Sequence, residues 1–266
     1  MPNPKQSAKR RAVLPSPRSV VAEMALLPAR RPAVRTRLAS AAATTAAPAY
    51  RIIRTNEVDP YDKPIPKTAV PSFAATAAGP PGDDFKGTSR KVAKLSLATA
   101  GTEKFQDVKD LIATLAAEKG MIKHKPKITT DKDSDRVAEE KRNVQVRAFL
   151  YAASREDDND YHLIVGRKPA ASPTFMTVEI SGLPPKSSKH HAKLKAARDA
   201  YTKFFKDGLP GPSYDFYDPP IPVELTGSLF FDMSHATGGR PGPKKLRPNI
   251  PTIWEIHPIS KVVFEP

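Results

Sequence analysis

The chain has no cysteine among its 266 residues. Disulfides, thiol nucleophiles and zinc sites with cysteine ligands are therefore excluded, and cysteine usage does not indicate a cellular compartment. Long apolar runs are also missing, because the best candidate, Val20–Leu27, has eight residues and contains Glu23. That run is too short for a transmembrane helix and unlike the centre of a secretory signal, so the sequence predicts no membrane span.

Acidic residues are almost absent from the beginning of the chain. Residues 1 to 54 hold 11 Lys and Arg but the single acid Glu23, which accounts for most of the formal net charge of +15. Prolines are dense as well, since 13 of the 29 lie within residues 1 to 84. This composition offers few residues for a core, so we predict that residues 1–86 form a disordered, basic tail rich in Pro and Ala.

Three interpretations of this tail stay open. Its Arg-rich, acid-poor character is typical of a targeting segment, it would also serve as a basic arm for nucleic acid, and it fits a solvated extension that adds solubility. Because most of the excess charge lies in the tail, the rest of the chain is only mildly basic. The overall charge therefore does not identify a partner. A cytoplasmic location is slightly favoured over export, and the oligomeric state is not indicated.

A helical pattern follows the tail. Apolar residues recur at helical spacing, with Thr102 as a cap and Gly120 as a stop: Phe105, Val108, Leu111, Ile112 and Leu115. This pattern predicts a helix from Glu103 to Lys119. We therefore assign residues 87–140 to a helical lead-in segment.

The last part of the chain, residues 141–266, has the element order of a small barrel. A helix with an apolar stripe separates the third and fourth of five predicted strands, which are Val144–Tyr151, Tyr161–Val165, Phe175–Ile180, Pro222–Phe231 and Ile253–Phe264. An OB-type Greek-key barrel has this order. Gly227, inside the fourth strand, indicates a bulge or a sharp bend. We predict a mainly β fold with some α-helix, built around a five-stranded OB-like barrel.

Six acidic and histidine residues near the predicted strand ends are candidate ligands of a divalent metal: Asp160, His162, Asp232, His235, Glu255 and His257. Asp160 and His162 are two residues apart, as are Glu255 and His257, so each pair projects to one face of a strand. Imidazole with carboxylate suits zinc, manganese or iron, whereas carboxylates alone suit calcium or magnesium. If the barrel closes as predicted, these side chains gather near one end.

A purely structural interpretation of the same residues also stays open. The acidic loop before Asp160 would then be a solvated turn. The histidines would hydrogen-bond to loop backbone, and Glu255 would pair with a nearby Lys or Arg. No local run has the tight spacing of a known metal motif.

The predicted loop between strands four and five carries the candidate residues for binding a polyanion: Arg240, Lys244, Lys245 and Arg247. Small barrels of this type commonly bind nucleic acid with the loops joining strands one to two and four to five. Binding through such residues would be largely electrostatic and sensitive to salt.

Three motifs resemble a group of bacterial proteins of unknown function. They are an acidic turn ending in Asp160-Tyr161-His162-Leu163, the run Gly227–Asp232 with His235 after it, and Glu255-Ile256-His257-Pro258. The likeness covers about Val137 to Phe264. It implies a bacterial source and a shared small β-barrel domain, but it brings no established activity. The Pro- and Lys-rich stretch between His235 and Trp254 departs from the pattern of the group.

Three hypotheses for function result. The first is a binding module for nucleic acid or another polyanion. The second is a metal-dependent phosphodiesterase or nuclease that resembles the thermonuclease arrangement, with Asp160, Asp232 and Glu255 as ligands and a histidine as ligand or base. The third is an exported protein-interaction domain. The acidic first loop would repel a phosphate backbone unless a cation lay between them, which keeps the metal hypothesis open.

Overall fold

The structure is a computed structural model that describes residues 50–60, 82–237 and 239–264. Every described residue belongs to one compact unit, which lies within Ala47–Pro266. The predicted tail, residues 1–86, lies largely outside the described residues. None of the helices in the described ranges is long and apolar enough to cross a membrane.

Within the described residues, seven strands and four short or medium helices make up the fold. The strands are β1 (Arg51–Arg54), β2 (Thr102–Phe105), β3 (Asn143–Arg155), β4 (Tyr161–Gly166), β5 (Phe175–Ile180), β6 (Asp215–Phe231) and β7 (Trp254–Phe264). The helices are α1 (Lys91–Lys94), α2 (Val108–Ile112), α3 (Glu118–Ile122) and α4 (His191–Phe205). Short 3₁₀ turns occur at Ala138–Glu140, Lys206–Gly208, Met233–His235 and Arg247–Asn249.

The strands form one mixed sheet in the order β1-β6-β7-β5-β4-β3-β2, and β6 also pairs with β3. This extra pairing links β3, β4, β5, β7 and β6 in a partial ring. Most pairs are antiparallel, whereas β2–β3 and β5–β7 are parallel. The β5–β7 ladder is the shortest side of the ring, since it has only two paired positions, Thr177 with Glu255 and Val178 with Ile256. The prediction of a mainly β fold is confirmed.

Strand alternation sorts the side chains into a main core and an outer face. Tyr161, Leu163 and Val165 of β4 lie in the main apolar core together with alternate residues of β3, which are Val144, Val146, Ala148 and Leu150. Ile164 points to the opposite side and joins a smaller apolar cluster with Phe175 and others. All six residues of β4 and all six of β5 are buried, because both faces of these strands are covered.

Helix α4 covers the main core. Of the apolar stripe predicted for this helix, Leu194, Ala197, Tyr201 and Phe205 are buried, and Phe204 is partly buried. The ring centroids of Tyr201 and Tyr161 are 4.7 Å apart, so this ring contact joins the helix to β4. Burying each such side chain stabilises the fold by roughly 1.5–3 kcal/mol.

Buried arginines hold the loops against the sheet. Arg90 makes a bidentate ion pair with Glu140 at 2.7 and 2.8 Å, and Glu140 also accepts from Phe231 N at 2.8 Å. Arg136 donates to the carbonyls of Ala93 and His257 at 2.6 and 2.7 Å. The segment of residues 82–98, which we call the covering segment, is thereby held over the outer face of β4, β5 and β7.

The predicted helix from Glu103 to Lys119 is wrong. Residues 102–105 pair instead with β3 as the parallel edge strand β2. The side chain of Asp107 then accepts from Lys109 N at 2.8 Å and begins the five-residue helix α2, while Gly120 lies inside α3. The apolar positions still face the core, since Val108 and Leu111 are fully buried. Sheet pairing thus replaces helix at the start of this run.

Strand β1 forms inside the segment that was predicted to be disordered. It pairs antiparallel with β6, with Arg51 opposite Asp218 and Arg54 opposite Asp215. Asp59 strengthens the attachment, because it accepts from the Tyr214 hydroxyl at 2.8 Å and from Gly242 N at 2.5 Å. Residues 50–60 therefore belong to the folded unit.

Candidate metal centre

Strand register brings three candidate residues into one row across the outer face. His162 of β4 is paired with Glu179 of β5. The β5–β7 ladder ends at Val178 and Ile256, so Glu179 and His257 are the next residues along the two strands. All three side chains project opposite to the neighbouring core residues and lie under the covering segment.

Asp160, Glu179 and His257 form a compact group, which we call the inner triad. Their ligand atoms all lie within 4.8 Å of one another, close enough to hold a metal ion. His257 Nδ1 is 2.7 Å from Glu179 Oε2, and His257 Nε2 is 3.2 Å from Asp160 Oδ2. The side chains of all three are between 0% and 4% exposed, so the triad is closed to bulk water.

These short distances are not hydrogen bonds of normal geometry. Neither ring nitrogen of His257 has a hydrogen-bond partner, and neither do Asp160 Oδ2 and Glu179 Oε2. A 2.7 Å separation without a hydrogen bond means that the carboxylate lies off the direction of the ring N–H. Buried polar atoms are usually paired, and a convergent unpaired set is a feature that a bound ion explains.

A second group lies beside the inner triad and shares Glu179 with it. His162 Nδ1 contacts Glu156 Oε1 at short range and lies 3.5 Å from Glu179 Oε1. Glu156, His162 and Glu179 also have the spacing of a metal site. In this group, however, the histidine already has a hydrogen-bonded carboxylate partner. The group is therefore best described as an ion pair that supports Glu179.

Asp232, His235 and Glu255 form a third group, which we call the outer triad. Their ligand atoms likewise lie within 4.8 Å of one another. His235 Nε2 is 3.2 Å from Asp232 Oδ2, and the side chains of these two residues are 11% and 13% exposed. Glu255 is buried and lies between the triads, because its Oε2 is 3.6 Å from His257 Nδ1.

Lys94, from the covering segment, brings one ammonium to the inner triad. Its Nζ is 2.9 Å from Asp158 Oδ2, 3.8 Å from Asp160 Oδ2 and 3.9 Å from Glu179 Oε2. Burial alone would lower the pKa of Lys94, but Asp158 and Glu179 raise it well above its usual value. The ammonium therefore stays charged and offsets part of the surrounding negative charge.

Burial and neighbouring charges shift the pKa values of the groups in this centre. Burial, together with Asp158, raises the pKa of Asp160 to about 7. Burial and the nearby Glu179 raise the pKa of Glu255 to about 8. Burial alone would lower the pKa of His257, but Glu179 and Asp160 raise it well above its usual value. A divalent cation at this position would favour the ionised form of both carboxyl groups.

The structure separates the six predicted metal ligands into these groups. Asp160 and His257 meet in the inner triad, His162 lies beside it, and Asp232, His235 and Glu255 form the outer triad. The purely structural interpretation placed the histidines against loop backbone and Glu255 against a Lys or Arg. In the structure the histidines instead face carboxylates, and the charged neighbour of Glu255 is His257. The sequence reasoning missed Glu179, Lys94 and Glu156, all of which contact the predicted residues.

The predicted polyanion-binding residues are only partly available. Arg240 pairs with Glu118 at 2.7 Å, and the Arg247 guanidinium donates to the carbonyl of Gly242 at 2.6 and 2.9 Å. Lys244 and Lys245 are exposed. Two of the four cations therefore have internal partners, which reduces the charge that this loop presents to solvent.

A more basic surface lies elsewhere, in a cleft of about 570 Å³ between the covering segment, residues 132–141 and the start of α4. We call it the basic cleft. Five cations line it, Lys91, Lys132, Arg136, Lys141 and Lys189, against the two acids Asp133 and Asp135. Burial lowers the pKa of the lining residue His190, and Lys189 and Arg136 lower it further. The cleft thus combines a ligand-sized volume with positive potential.

Comparison with known proteins adds no family assignment. No protein-family model, no curated protein and no solved structure matches the chain. The resemblance to the bacterial group described above therefore stays a prediction, and the candidate site is interpreted from its own geometry.

Proposed function

We propose that this chain is a divalent-metal-binding protein in which an OB-like barrel holds an ion at the inner triad. The observation that carries the proposal is the convergence of buried ligand atoms without hydrogen-bond partners on Asp160, Glu179 and His257. One imidazole nitrogen and two carboxylate oxygens form a ligand set that suits zinc, manganese or iron.

The pairing order supports the OB-like part of this proposal. Within the ring, β3 pairs with β4 and β6, and β5 runs parallel to β7. Helix α4 lies between the third and fourth strands of the ring. A Greek-key barrel of the OB type has the same helix position.

An ion at the inner triad would act on the weakest side of the ring. Backbone pairing between β5 and β7 ends at Val178 and Ile256, and the next residues are the proposed ligands Glu179 and His257. A metal bound by both would join the strands directly beyond their last backbone pair. The binding free energy would then contribute to folding, as in other structural metal sites.

Burial favours ion binding over the predicted phosphodiesterase activity. A hydrolytic metal needs an open coordination position that substrate can reach. The three inner ligands have side chains that are at most 4% exposed, and the covering segment lies over them. Hydrolysis at the inner triad stays a prediction without support from this geometry.

The test is the metal content of the purified protein, followed by thermal denaturation with Zn²⁺, Mn²⁺ or Ca²⁺ and with a chelator. At an ion concentration 100-fold above the dissociation constant, linkage adds about 2.7 kcal/mol to the free energy of unfolding. For a domain of this size the Tm would rise by roughly 5–10 °C. Asp160→Asn should abolish the rise in Tm, because it removes the charge of a metal ligand. The variant should still fold, since the Asn side chain keeps an oxygen that can accept from Gly182 N.

Asp199→Asn is the matched control, since Asp199 lies on the exposed side of α4 and its side chain is 56% exposed. The control should respond to metal like the parent protein. Purified protein without stoichiometric metal, combined with no Tm response to any of the cations, would reject the proposal. An unchanged response in Asp160→Asn would place the ion elsewhere.

The basic cleft supports a second candidate function, the binding of nucleic acid or another polyanion. Four lysines and the internally bonded Arg136 line it against two acids, together with apolar residues such as Val92, Leu95 and Leu97. A cluster of lysines attracts the phosphate groups of a polyanion. This surface is separate from the loop of Arg240 to Arg247 that the sequence indicated.

A further inference from the structure

We propose that the outer triad of Asp232, His235 and Glu255 binds a second divalent cation, one that exchanges with solvent. This inference rests on the proposed function, because it makes the metal centre a two-ion centre. It depends on different residues, however, since the inner and outer triads have no member in common.

Local backbone structure prepares Asp232 and His235 for a common ligand. Asp232 follows β6, and its Oδ1 accepts from both Ser234 N and Ser234 Oγ, at 2.8 and 2.6 Å. These bonds fix the carboxylate and direct its other oxygen, Oδ2, to within 3.2 Å of His235 Nε2. A carboxylate oxygen and an imidazole nitrogen held at this separation fit two positions of one coordination sphere.

Glu255 supplies an independent observation that points to a cation. Its side chain is 1% exposed, yet neither Oε1 nor Oε2 has a hydrogen-bond partner. Its charged neighbour is His257, at 3.6 Å, and a buried carboxylate without hydrogen bonds is costly unless further positive charge, such as a metal ion, compensates it. The ligand atoms of Asp232 and His235 lie within 4.8 Å of the one Glu255 offers, so a single ion could contact all three.

The two triads are adjacent through Glu255. Glu255 and His257 are two residues apart on β7, on the same face of the strand, with 3.6 Å between Oε2 and Nδ1. Because the ligand sets do not overlap, both ions could be bound at once, with the Glu255 carboxylate between them. Pairs of metal ions joined through carboxylates are a known arrangement in metalloproteins.

Exposure distinguishes the two proposed ions. The side chains of Asp232 and His235 are 13% and 11% exposed, whereas those of Asp160 and His257 are fully buried. A chelator reaches an ion on partly exposed ligands more easily. The outer ion should therefore leave faster than the inner one.

The experiment counts ions on the full chain by native mass spectrometry after saturation with Mn²⁺ or Zn²⁺ and removal of excess ion. Two ions are expected for the parent protein, released by a chelator in a fast and a slow phase. Asp232→Asn should bind a single ion and lose only the fast phase. It keeps an oxygen for the Ser234 contacts, and circular dichroism and the melting temperature would show whether the variant folds.

His235→Gln serves as a second variant, and Asp199→Asn serves as the matched control that should keep both ions. One ion in the parent and in both outer-triad variants would overturn this inference but leave the inner site intact. One ion in the parent and none in the outer-triad variants would keep the outer site and reject the inner one. Binding of no ion at all would reject both.

Discussion

At the scale of single residues, Asp215 gives the clearest dependence of stability on pH. Asp215 is 3% exposed, and its Oδ2 has no hydrogen-bond partner. Burial raises the pKa of Asp215 to about 6, and the opposing effect of Arg54 is smaller. The pKa of a free aspartate is about 3.9, so the folded state holds this proton more tightly than the unfolded chain does.

The stabilisation linked to Asp215 is therefore complete below about pH 4 and is lost as the pH rises to about 6. We expect Asp215→Asn to gain stability relative to the parent between pH 4 and pH 7, by up to about 2 kcal/mol. Urea denaturation of the parent and of Asp215→Asn, at pH 4 and at pH 7, measures this difference in the free energy of unfolding. The neighbouring groups that act on Asp215 or respond to it are Arg54, Tyr201 and Tyr217.

Asp133→Asn, which changes a side chain that is 80% exposed, is the control and should show no such gain. Because the other carboxyl groups titrate equally in the parent and in the variant, the difference isolates Asp215. An equal gain in Asp133→Asn, or no gain in Asp215→Asn, would contradict the assignment.

Residue identity alone located much of the candidate centre but not all of it. Asp160, Glu255 and His257 were recognisable because carboxylate and imidazole groups recur two residues apart near strand ends. Glu179 was not, since it lies in the run Phe175–Ile180 that resembles any buried strand. Only the pairing of Glu179 with His162 places it in the centre, and the register between two strands has no signal in the sequence of either strand alone.

At the scale of elements, Gly227 is a position where β6 approaches β7 closely. The register between these strands shifts on both sides of Gly227. A Cβ atom there would lie 2.5 Å from the Pro258 carbonyl oxygen and 2.7 Å from Ile256 Cγ2. The sequence-based prediction of a bulge or bend at this glycine is confirmed.

We expect Gly227→Ala to destabilise the fold by about 1–3 kcal/mol, because the backbone carbonyl of Pro258 cannot move aside without disturbing the ladder. Urea denaturation measures the change. Gly101→Ala is the matched control, since a Cβ at Gly101 would meet nothing within 4 Å. The control should stay within about 0.5 kcal/mol of the parent. Equal stability of Gly227→Ala and Gly101→Ala would contradict this prediction and show that β7 can move away from position 227 at little cost.

Long, alternating elements were predictable, whereas short elements that depend on distant partners were not. The alternation in β3 and the helical stripe of α4 both identify their elements from local sequence. Strand β2 has a helical apolar pattern, and it becomes a strand only because β3 offers a free edge. Residues 51–54 form a strand inside the predicted tail, and their partner in β6, more than 150 residues away, is not visible from the local sequence.

At the scale of the whole molecule, the distribution of charge decides where a polyanion would bind. The formal net charge is +15, and a large part of it lies in residues 1–54, most of which are outside the described ranges. Within those ranges, the basic cleft gathers four lysines beside the internally bonded Arg136, whereas Arg240 and Arg247 of the predicted loop have internal partners. If a polyanion binds in the basic cleft, removing lysine charges from the cleft should weaken its binding more than removing lysine charges from the loop.

The comparison uses two double variants of the full chain that remove the same charge. Lys141→Gln with Lys189→Gln changes two exposed residues of the cleft, and Lys244→Gln with Lys245→Gln changes two exposed residues of the loop. For a single-stranded oligonucleotide, each lost phosphate contact lowers the slope of log K against log salt by about 0.7. We expect the cleft variant to lose a slope of about 1.4 and the loop variant to lose less.

Salt titrations of both variants and the parent give three distinguishable results. A larger loss in the cleft variant would place the contacts in the cleft, whereas a larger loss in the loop variant would return them to the predicted loop. Equal losses would mean that net charge alone attracts the oligonucleotide, without a specific surface. Because both variants keep the N-terminal segment and carry the same net charge, non-specific attraction contributes equally to them, and any difference reports the surface itself.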